Sequence, residues 1–484
     1  MGNGLAYLML AAWPAICVGL FARFSVERAL IWSFLGAYML LPPVTEFDLP
    51  LVPAMDKNSI PSVAALVIMV AFLGLRPSFL PRHRITRLLI AMMLVGAVLT
   101  VLTNTDGIVF HQRIDLMPID FPVGMLPGLR LIDTLSALAS TVILLIPFFL
   151  ARAYLATDKG LRELMLAFLI AGLIYTVPAL IEIRLSPQMN VWFYGFFQHS
   201  FEQMVRDGGF RPIVFMPHAL WLALFFVMAM SAGAALMRDA THQTRWRYML
   251  ATAYLVVVIY LCKSLASQIY MVLLLPLILL AAPKWQIRVA LAFAAVAILY
   301  PMLRNLGLIP LDLILAKAEL ISAERAQSLG FRFMNEEILL DRASERSLFG
   351  WGGWGRNLLH ADTSGEIVTI ADGRWIIVFG TAGWFGYVSQ MGLVVLPLVL
   401  MARALRTHAA EDLSPMIAPL CLMLGFTVVD MLLNDTLVPM TLLMVGAILG
   451  YAERLTLPDD SPRTLFPNGP VIGRRKGGGK RTVM

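Results

Sequence analysis

The chain is 484 residues long, 59% hydrophobic and only 14% charged, with a formal net charge of +7. Soluble domains carry about 45–50% apolar and about 25% charged residues, so this balance excludes a soluble globular enzyme and predicts an all-α polytopic integral membrane protein. The three cysteines, Cys17, Cys262 and Cys421, fall in or at the ends of apolar runs and form no CxxC or disulfide framework.

Apolar runs recur along the whole chain, over 5–22, 29–44, 60–76, 88–103, 131–151, 163–183, 213–237, 248–262, 265–282, 287–303, 376–401, 414–433 and 436–452. Lipid offers no partner for backbone N–H and C=O groups, so each run is expected to be a helix, giving about 12–13 transmembrane helices. The first run has no basic residue before it, while Arg23 and Arg28 follow it, which argues against a cleavable signal peptide. Residues 1–455 read as one membrane domain, with no soluble enzyme attached.

Basic residues set the expected orientation. The loops holding Arg23/Arg28, Arg76–Arg87, Arg152–Arg162, Arg238–Arg247, Lys284/Arg288 and Arg403/Arg406, together with the C-terminal stretch from Arg454 onward, carry 23 of the 38 Lys and Arg. That side is expected to be cytoplasmic. The tail, 456–484, contains RRKGGGKR and suits an anionic lipid surface or plain disorder. Nucleic acid is not an expected partner.

Two segments on the opposite side exceed simple turns, about 184–212 and about 304–375. Long loops in compact proteins are usually functional. In the second, Asp312 to Gln327 reads as a helix lying along the membrane surface, followed by a short helix over 331–343 with Arg332 and Glu336 paired at i, i+4. The stretch LFGWGGWGRN then reads as a tight turn. Gly350, Gly352, Gly353 and Gly355 let the backbone fold, and Trp351 and Trp354 suit the membrane interface.

Four constellations are candidates for chemistry. The outer segments hold Arg184, Arg206, Arg211, Arg325, Arg332, Arg342, Arg346, Arg356 and Arg374. Guanidinium is a planar, always-charged donor for phosphate, and the set suits an anion site; the plain alternative is solvated charge paired with acids such as Asp207 and Glu336. In GFRPIVFMPHALW, Arg211 stands at a helix entrance and His218 is expected two turns inside, as a functional group or a partner of a neighbouring helix. In CKSLASQIY, Lys263 occupies a short turn, where it neutralises a phosphate or snorkels to the interface. In DGRWIIVFGTAGWFGY, Asp372 and Arg374 stand at the mouth of a helix, with Gly380, Gly383 and Gly386 expected to form one smooth packing face. Asp372 is the right type for a general base, or an N-cap. Glu46 and Asp48 form a weaker acidic pair.

The order of these pieces resembles the O-antigen ligase and repeat-unit polymerase superfamily. The resemblance is specific at Arg211 to His218, at Lys263-Ser264, at Arg332 followed by SLFGWGGWG, and at Asp372 with its spaced glycines. Where many ligases have a histidine before those glycines, this chain has Asp372-Gly373-Arg374. Arg184 followed by Gly195, and Arg342 followed by Gly353, are similar to arginine–glycine spacings described for the polymerases.

The resemblance implies a multi-pass glycosyltransferase of the bacterial inner membrane, with both large loops periplasmic. Its donor would be a glycan on undecaprenyl pyrophosphate, and its acceptor a sugar hydroxyl. Arg211, Arg332, Lys263 and Arg374, with Arg184 and Arg342, would hold the pyrophosphate, and Asp372 or His218 would activate the acceptor. No metal or cofactor is expected. Membrane lipids and other polysaccharide-assembly proteins are the expected partners. A ligase transferring finished glycan to a lipid core, and a transporter of polysaccharide or lipid-linked sugar, stay open as alternatives.

Overall fold

A computed structural model describes residues 2–48, 52–114, 119–206, 208–320, 322–361, 363–409 and 412–456. Apart from its first residue, the expected basic tail lies outside the described residues, as does Asp207.

Helices dominate. In chain order they are α1 (Gly4–Arg23), α2 (Val26–Leu40), α3 (Ser59–Val67, continued by a π-turn over Ile68–Phe72), α4 (Arg84–Leu102), α5 (Asp133–Tyr154), α6 (Asp158–Leu185), the short α7 (Met189–Tyr194), α8 (Ala219–Asp239), α9 (His242–Leu261), α10 (Leu265–Leu280), α11 (Pro283–Asn305), α12 (Leu311–Glu319), α13 (Ala323–Ser344), α14 (Arg374–Ala404), α15 (Ile417–Asp430) and α16 (Pro439–Thr456). Among the described residues, seven of these are long and apolar enough to cross a membrane: α1, α4, α5, α6, α8, α11 and α14. Only 28% of the apolar window of α1 and 33% of that of α4 is buried within the protein, against 83% for α8. The first two therefore turn apolar faces outward, as lipid-facing helices do, and α8 lies in the interior. Close approach is supplied locally by small residues. Gly446 and Gly450 of α16 lie where an added Cβ would meet the backbone of α5 at 2.3 Å, the small-residue packing that suits helices without a hydrophobic drive between them.

Every expected apolar run contains a helix, but several details differ. The segment between α4 and α5, outside the expected apolar runs, forms an antiparallel pair, β1 (Ile108–Ile114) with β2 (Ile119–Leu126), irregular between Phe110 and His111. The surface helix expected over 312–327 is instead the short α12, and α13 extends across 323–344 in place of a short 331–343 helix. The run at 213–237 becomes helical only at Ala219. Pro217 disfavours helical backbone at the residue before it and lacks an N–H, so the helix starts beyond it.

The largest departure is in α14. Gly380, Gly383 and Gly386 do not form one packing face, because Gly383 adopts φ 62°, ψ −163° and breaks the helix. The two arms fold back on each other: the Arg374 guanidinium reaches Gln390 Oε1 at 2.9 and 2.6 Å. In a straight helix, sixteen residues separate such groups by about 24 Å. A break of this kind strands carbonyls at the end of the first arm and N–H groups at the start of the second. The glycine-tryptophan stretch meets both sets. Trp351 N donates to Gly380 O and Gly352 N to Thr381 O, each at 2.9 Å, while Trp384 N donates to Ser347 O at 2.7 Å and Phe385 N to Leu348 O at 3.1 Å.

That docking corrects the reading of the stretch as a surface turn. Trp351 is 7% exposed. It is stacked under Arg342 at 3.4 Å and Arg346 at 4.5 Å, and its Nε1–H donates to Arg342 O. Trp354, 61% exposed, keeps the outward position expected of an interface residue. Gly350, Gly352 and Gly355 have positive φ, whereas Gly353 does not, and an added Cβ on Gly353 meets nothing within 4 Å. Gly353 is therefore not a required turn glycine.

Candidate functional site

The site is built on the segment between α7 and α8. A short hairpin pairs β3 (Val205–Arg206) with β4 (Gly209–Phe210), and Arg211 N extends it by donating to Met204 O at 2.8 Å. Residues 213–216 then run without regular structure, so their backbone groups need other partners. Glu182, at the end of α6 and fully buried, supplies them: Oε2 accepts from Ile213 N at 2.7 Å and Val214 N at 2.8 Å, and Oε1 from Met189 N at 2.9 Å. Tyr175 Oη accepts from Phe215 N, while Gln198 Nε2 donates to Val214 O and Met216 O. Lys57 Nζ donates to Phe215 O and Tyr38 O. Burial lowers the Lys57 ammonium to about 7, against the opposing charge of Asp56.

This clamp fixes Arg211 at one end and His218 at the other. Arg211 is 3% exposed; its Nη1 reaches Gln203 O at 3.5 Å, and its Nε and Nη2 have no hydrogen-bond partner among the described residues. Burial lowers it to about 10, and the neighbouring positive charges of Arg206, Arg332 and Arg325 act in the same direction. His218 is not two turns inside a helix. It is the N-cap of α8, its Nδ1 accepting from Leu220 N at 3.0 Å. Its ring lies edge-on to His199 with centroids 4.4 Å apart. Burial, then His199 and the surrounding arginines, hold His218 down at about 2, so the ring is neutral.

Lys263 sits at φ 53° between α9 and α10, and its Nζ donates to Arg206 O at 2.8 Å. It thus braces the hairpin that carries Arg206 and Arg211. Arg206 pairs with Glu324 in the first turn of α13 at 3.1 Å, which ties the two large outer segments together.

On α13, Arg332 points to the chain ahead of α14. Its Nε lies 3.3 Å from Asp372 Oδ2, and its Nη1 donates to Leu433 O at 3.2 Å. The expected Arg332–Glu336 pair does not form. Glu336 turns inward and accepts from Tyr300 Oη at 2.9 Å and Trp375 Nε1 at 3.3 Å, and burial pushes its carboxyl up to about 7. Asn335 Oδ1 accepts from Ile370 N, so α13 clamps the chain on both sides of Asp372. Burial raises the Asp372 carboxyl above the usual aspartate range, against the opposing charge of Arg332.

The structure therefore brings together Arg211, Arg332, His218 and Asp372, with Arg206 and His199. The remaining expected anion-binding residues lie elsewhere. Arg374 is engaged by Asp435 at 3.1 Å and by Gln390 in the other arm of α14. Arg342 pairs with Glu345 and stacks on Trp351. Arg184 is exposed in the last turn of α6. The two arginine–glycine spacings join nothing: Gly195 caps α7 against Asn3, and Gly353 lies in open space. Two members were not expected from the sequence. His199 carries no local signal, but Glu182, an acid at the end of an apolar run, does.

No family model matches the chain, and no curated protein matches it in sequence. The arrangement itself offers a buried guanidinium with free N–H groups, further arginines of the same sign, two neutral imidazoles and one carboxylate with a raised pKa. Chemically, that combination suits binding of a polyanion beside a group able to accept a proton.

Proposed function

We propose that the protein is a membrane glycosyltransferase that binds the pyrophosphate of a polyprenyl-linked glycan and transfers the glycan to an acceptor hydroxyl. The observation that carries this reading is Arg211. It is buried, two of its guanidinium nitrogens lack partners among the described residues, and its charged neighbours there include Arg206 and Arg332. An unpaired buried donor costs about 1–3 kcal/mol, and more for a charged group, so such an arrangement is sensible when an anion completes it. Arg211 and Arg332 hold the pyrophosphate and stabilise the charge that develops as it leaves. Asp372, held by Arg332, takes the proton of the attacking hydroxyl. Direct attack inverts the configuration at the sugar carbon.

In this reading the chain crosses the bacterial inner membrane about 12–13 times, with the segments around 184–218 and 304–375 on the periplasmic side. Repeat-unit polymerisation is favoured over ligation to a lipid core by the absence of a histidine at Asp372. Deleting the gene and sizing the host's glycans separates the two. Single repeat units without long chains support polymerase. Long chains stranded on the lipid carrier support ligase.

A second reading, transport of a lipid-linked sugar or polysaccharide, is favoured by one observation: α14, a helix long enough to cross a membrane, is broken at Gly383. Discontinuous helices are a feature of transporters. In the same deletion strain, transport predicts glycan trapped on the cytoplasmic side with unchanged chain length.

A further inference from the structure

The two imidazoles beside Arg211 have the same constraint, and it fixes what they can do. His199 Nδ1 accepts from Ser200 N at 2.7 Å, and His218 Nδ1 accepts from Leu220 N at 3.0 Å. A nitrogen that accepts a backbone N–H carries no proton, so each neutral ring holds its hydrogen on Nε2. Protonating either ring would set an Nδ1–H against a backbone N–H at hydrogen-bond distance. The rings also meet edge-on at 4.4 Å, so two imidazolium charges would repel each other at close range. Charged groups acting on the pair come from three elements: Arg206 and Arg211 on the hairpin segment, Arg332 on α13, and Asp372 ahead of α14.

We propose that His199 and His218 form a pair of neutral Nε2–H donors to the phosphate oxygens of the ligand held by Arg211, and that neither serves as the proton acceptor. The proposal rests on the anion-binding reading of this site. It adds His199 as a binding residue and removes His218 as a base, leaving Asp372 alone in that role. Neutral donors suit a site already crowded with guanidinium groups, because they supply hydrogen bonds without adding like charge.

The test measures inorganic pyrophosphate binding to the full chain in lipid nanodiscs, from pH 6 to 8. The variants are Arg211→Ala, His199→Leu, His199→Gln and His218→Asn. Asparagine keeps the N-cap of α8 while removing the distal donor. Glutamine keeps a donor near the position of Nε2. Thermal unfolding without ligand confirms that each variant is folded. His199→Leu and His218→Asn are expected to weaken binding about tenfold, His199→Gln to recover most of that loss, and the wild-type to variant ratio to stay constant across the pH range. Using the ratio cancels the titration of pyrophosphate itself. A ratio that grows as pH falls would mean that imidazolium is the binding form, and unchanged affinity in both folded histidine variants would mean that the rings are not donors. Either result overturns the proposal while Arg211→Ala still abolishes binding. Unchanged binding in folded Arg211→Ala overturns the underlying reading.

Discussion

The backbone N–H of Trp351 donates to the carbonyl of Gly380 at 2.9 Å, just before α14 breaks at Gly383. With its neighbours it replaces the hydrogen bonds that the break removes. The loop and the broken helix are therefore one structural unit, and neither is stable in this form without the other.

Glycine substitutions should separate the residues this unit needs from those it does not. Gly383 has φ 62°, and an added Cβ there would lie 2.4 Å from the Leu348 carbonyl carbon; at Gly350 it would lie 2.4 Å from Ala382 N. Gly383→Ala and Gly350→Ala are expected to cost several kcal/mol, combining backbone strain with steric overlap. Gly353→Ala should change thermal stability by less than about 0.5 kcal/mol. Thermal unfolding in detergent reads all three, and a destabilised Gly353→Ala would contradict the docking described.

Glu182 holds three backbone N–H groups, those of Ile213 and Val214 in the irregular segment and that of Met189 at the start of α7. Glu182→Gln turns one acceptor oxygen into a donor facing those groups. The expected loss is about 1–3 kcal/mol per group left unsatisfied. Because the clamp positions Arg211, pyrophosphate affinity should fall in parallel with stability. Unchanged affinity in a measurably destabilised variant would show that the clamp does not position the site.

Arg211 and Arg374 should fail differently. Arg211→Ala removes the proposed anion ligand and is expected to lower turnover by about 10²–10³-fold, as when one preorganised donor to developing charge is deleted. Arg374→Ala leaves Asp435 and Gln390 without their partner, and its main effect should be on stability, about 1–3 kcal/mol. Comparing melting temperature with turnover for the two variants checks the assignment.

The raised carboxyls of Asp372 and Glu336 predict separate pH effects. Asp372 must be ionised to accept a proton, and burial raises its pKa. Turnover should therefore fall on the acid side at a higher pH than a free aspartate would give, and Asp372→Asn should lose this limb along with about 10²–10⁴-fold in rate. Glu336 acts on stability instead. Its folded value of about 7 exceeds its ordinary 4.5, so the folded state binds more protons between those values. The contribution of Glu336 to stability is then fully present below about 4.5 and is lost as pH rises through about 7. Glu336→Gln should flatten this part of the melting profile, and a slope identical to the wild type would rule Glu336 out as its source.

The helices were legible because lipid forces every apolar run to satisfy its own backbone, and the arginine-rich segments were legible because charge is scarce elsewhere. Where the sequence misled, a pattern had two physical outcomes. Glycines at spacing three suit a smooth helix face, yet one of them at positive φ breaks the helix, and only the docking of 347–352 decides between these. Apolarity continues through 213–217 although Pro212 and Pro217 delay the start of α8, so His218 became a cap. Arg332 and Glu336 have the spacing of a surface pair, but tertiary partners, Asp372 for one and Tyr300 with Trp375 for the other, draw them apart. His199 joins the site through a fold-back that no local pattern encodes.

The central claim is that the Arg211–Arg332–Asp372 group transfers glycan from a polyprenyl pyrophosphate. The most direct measurement reconstitutes the purified chain in liposomes with undecaprenyl-pyrophosphate-linked glycan and acceptor, then follows release of undecaprenyl pyrophosphate and growth of the product. The account predicts transfer by the wild type and its loss in folded Arg211→Ala and Asp372→Asn. Equal turnover in those variants, or movement of the lipid-linked glycan across the bilayer with no bond broken, would contradict it.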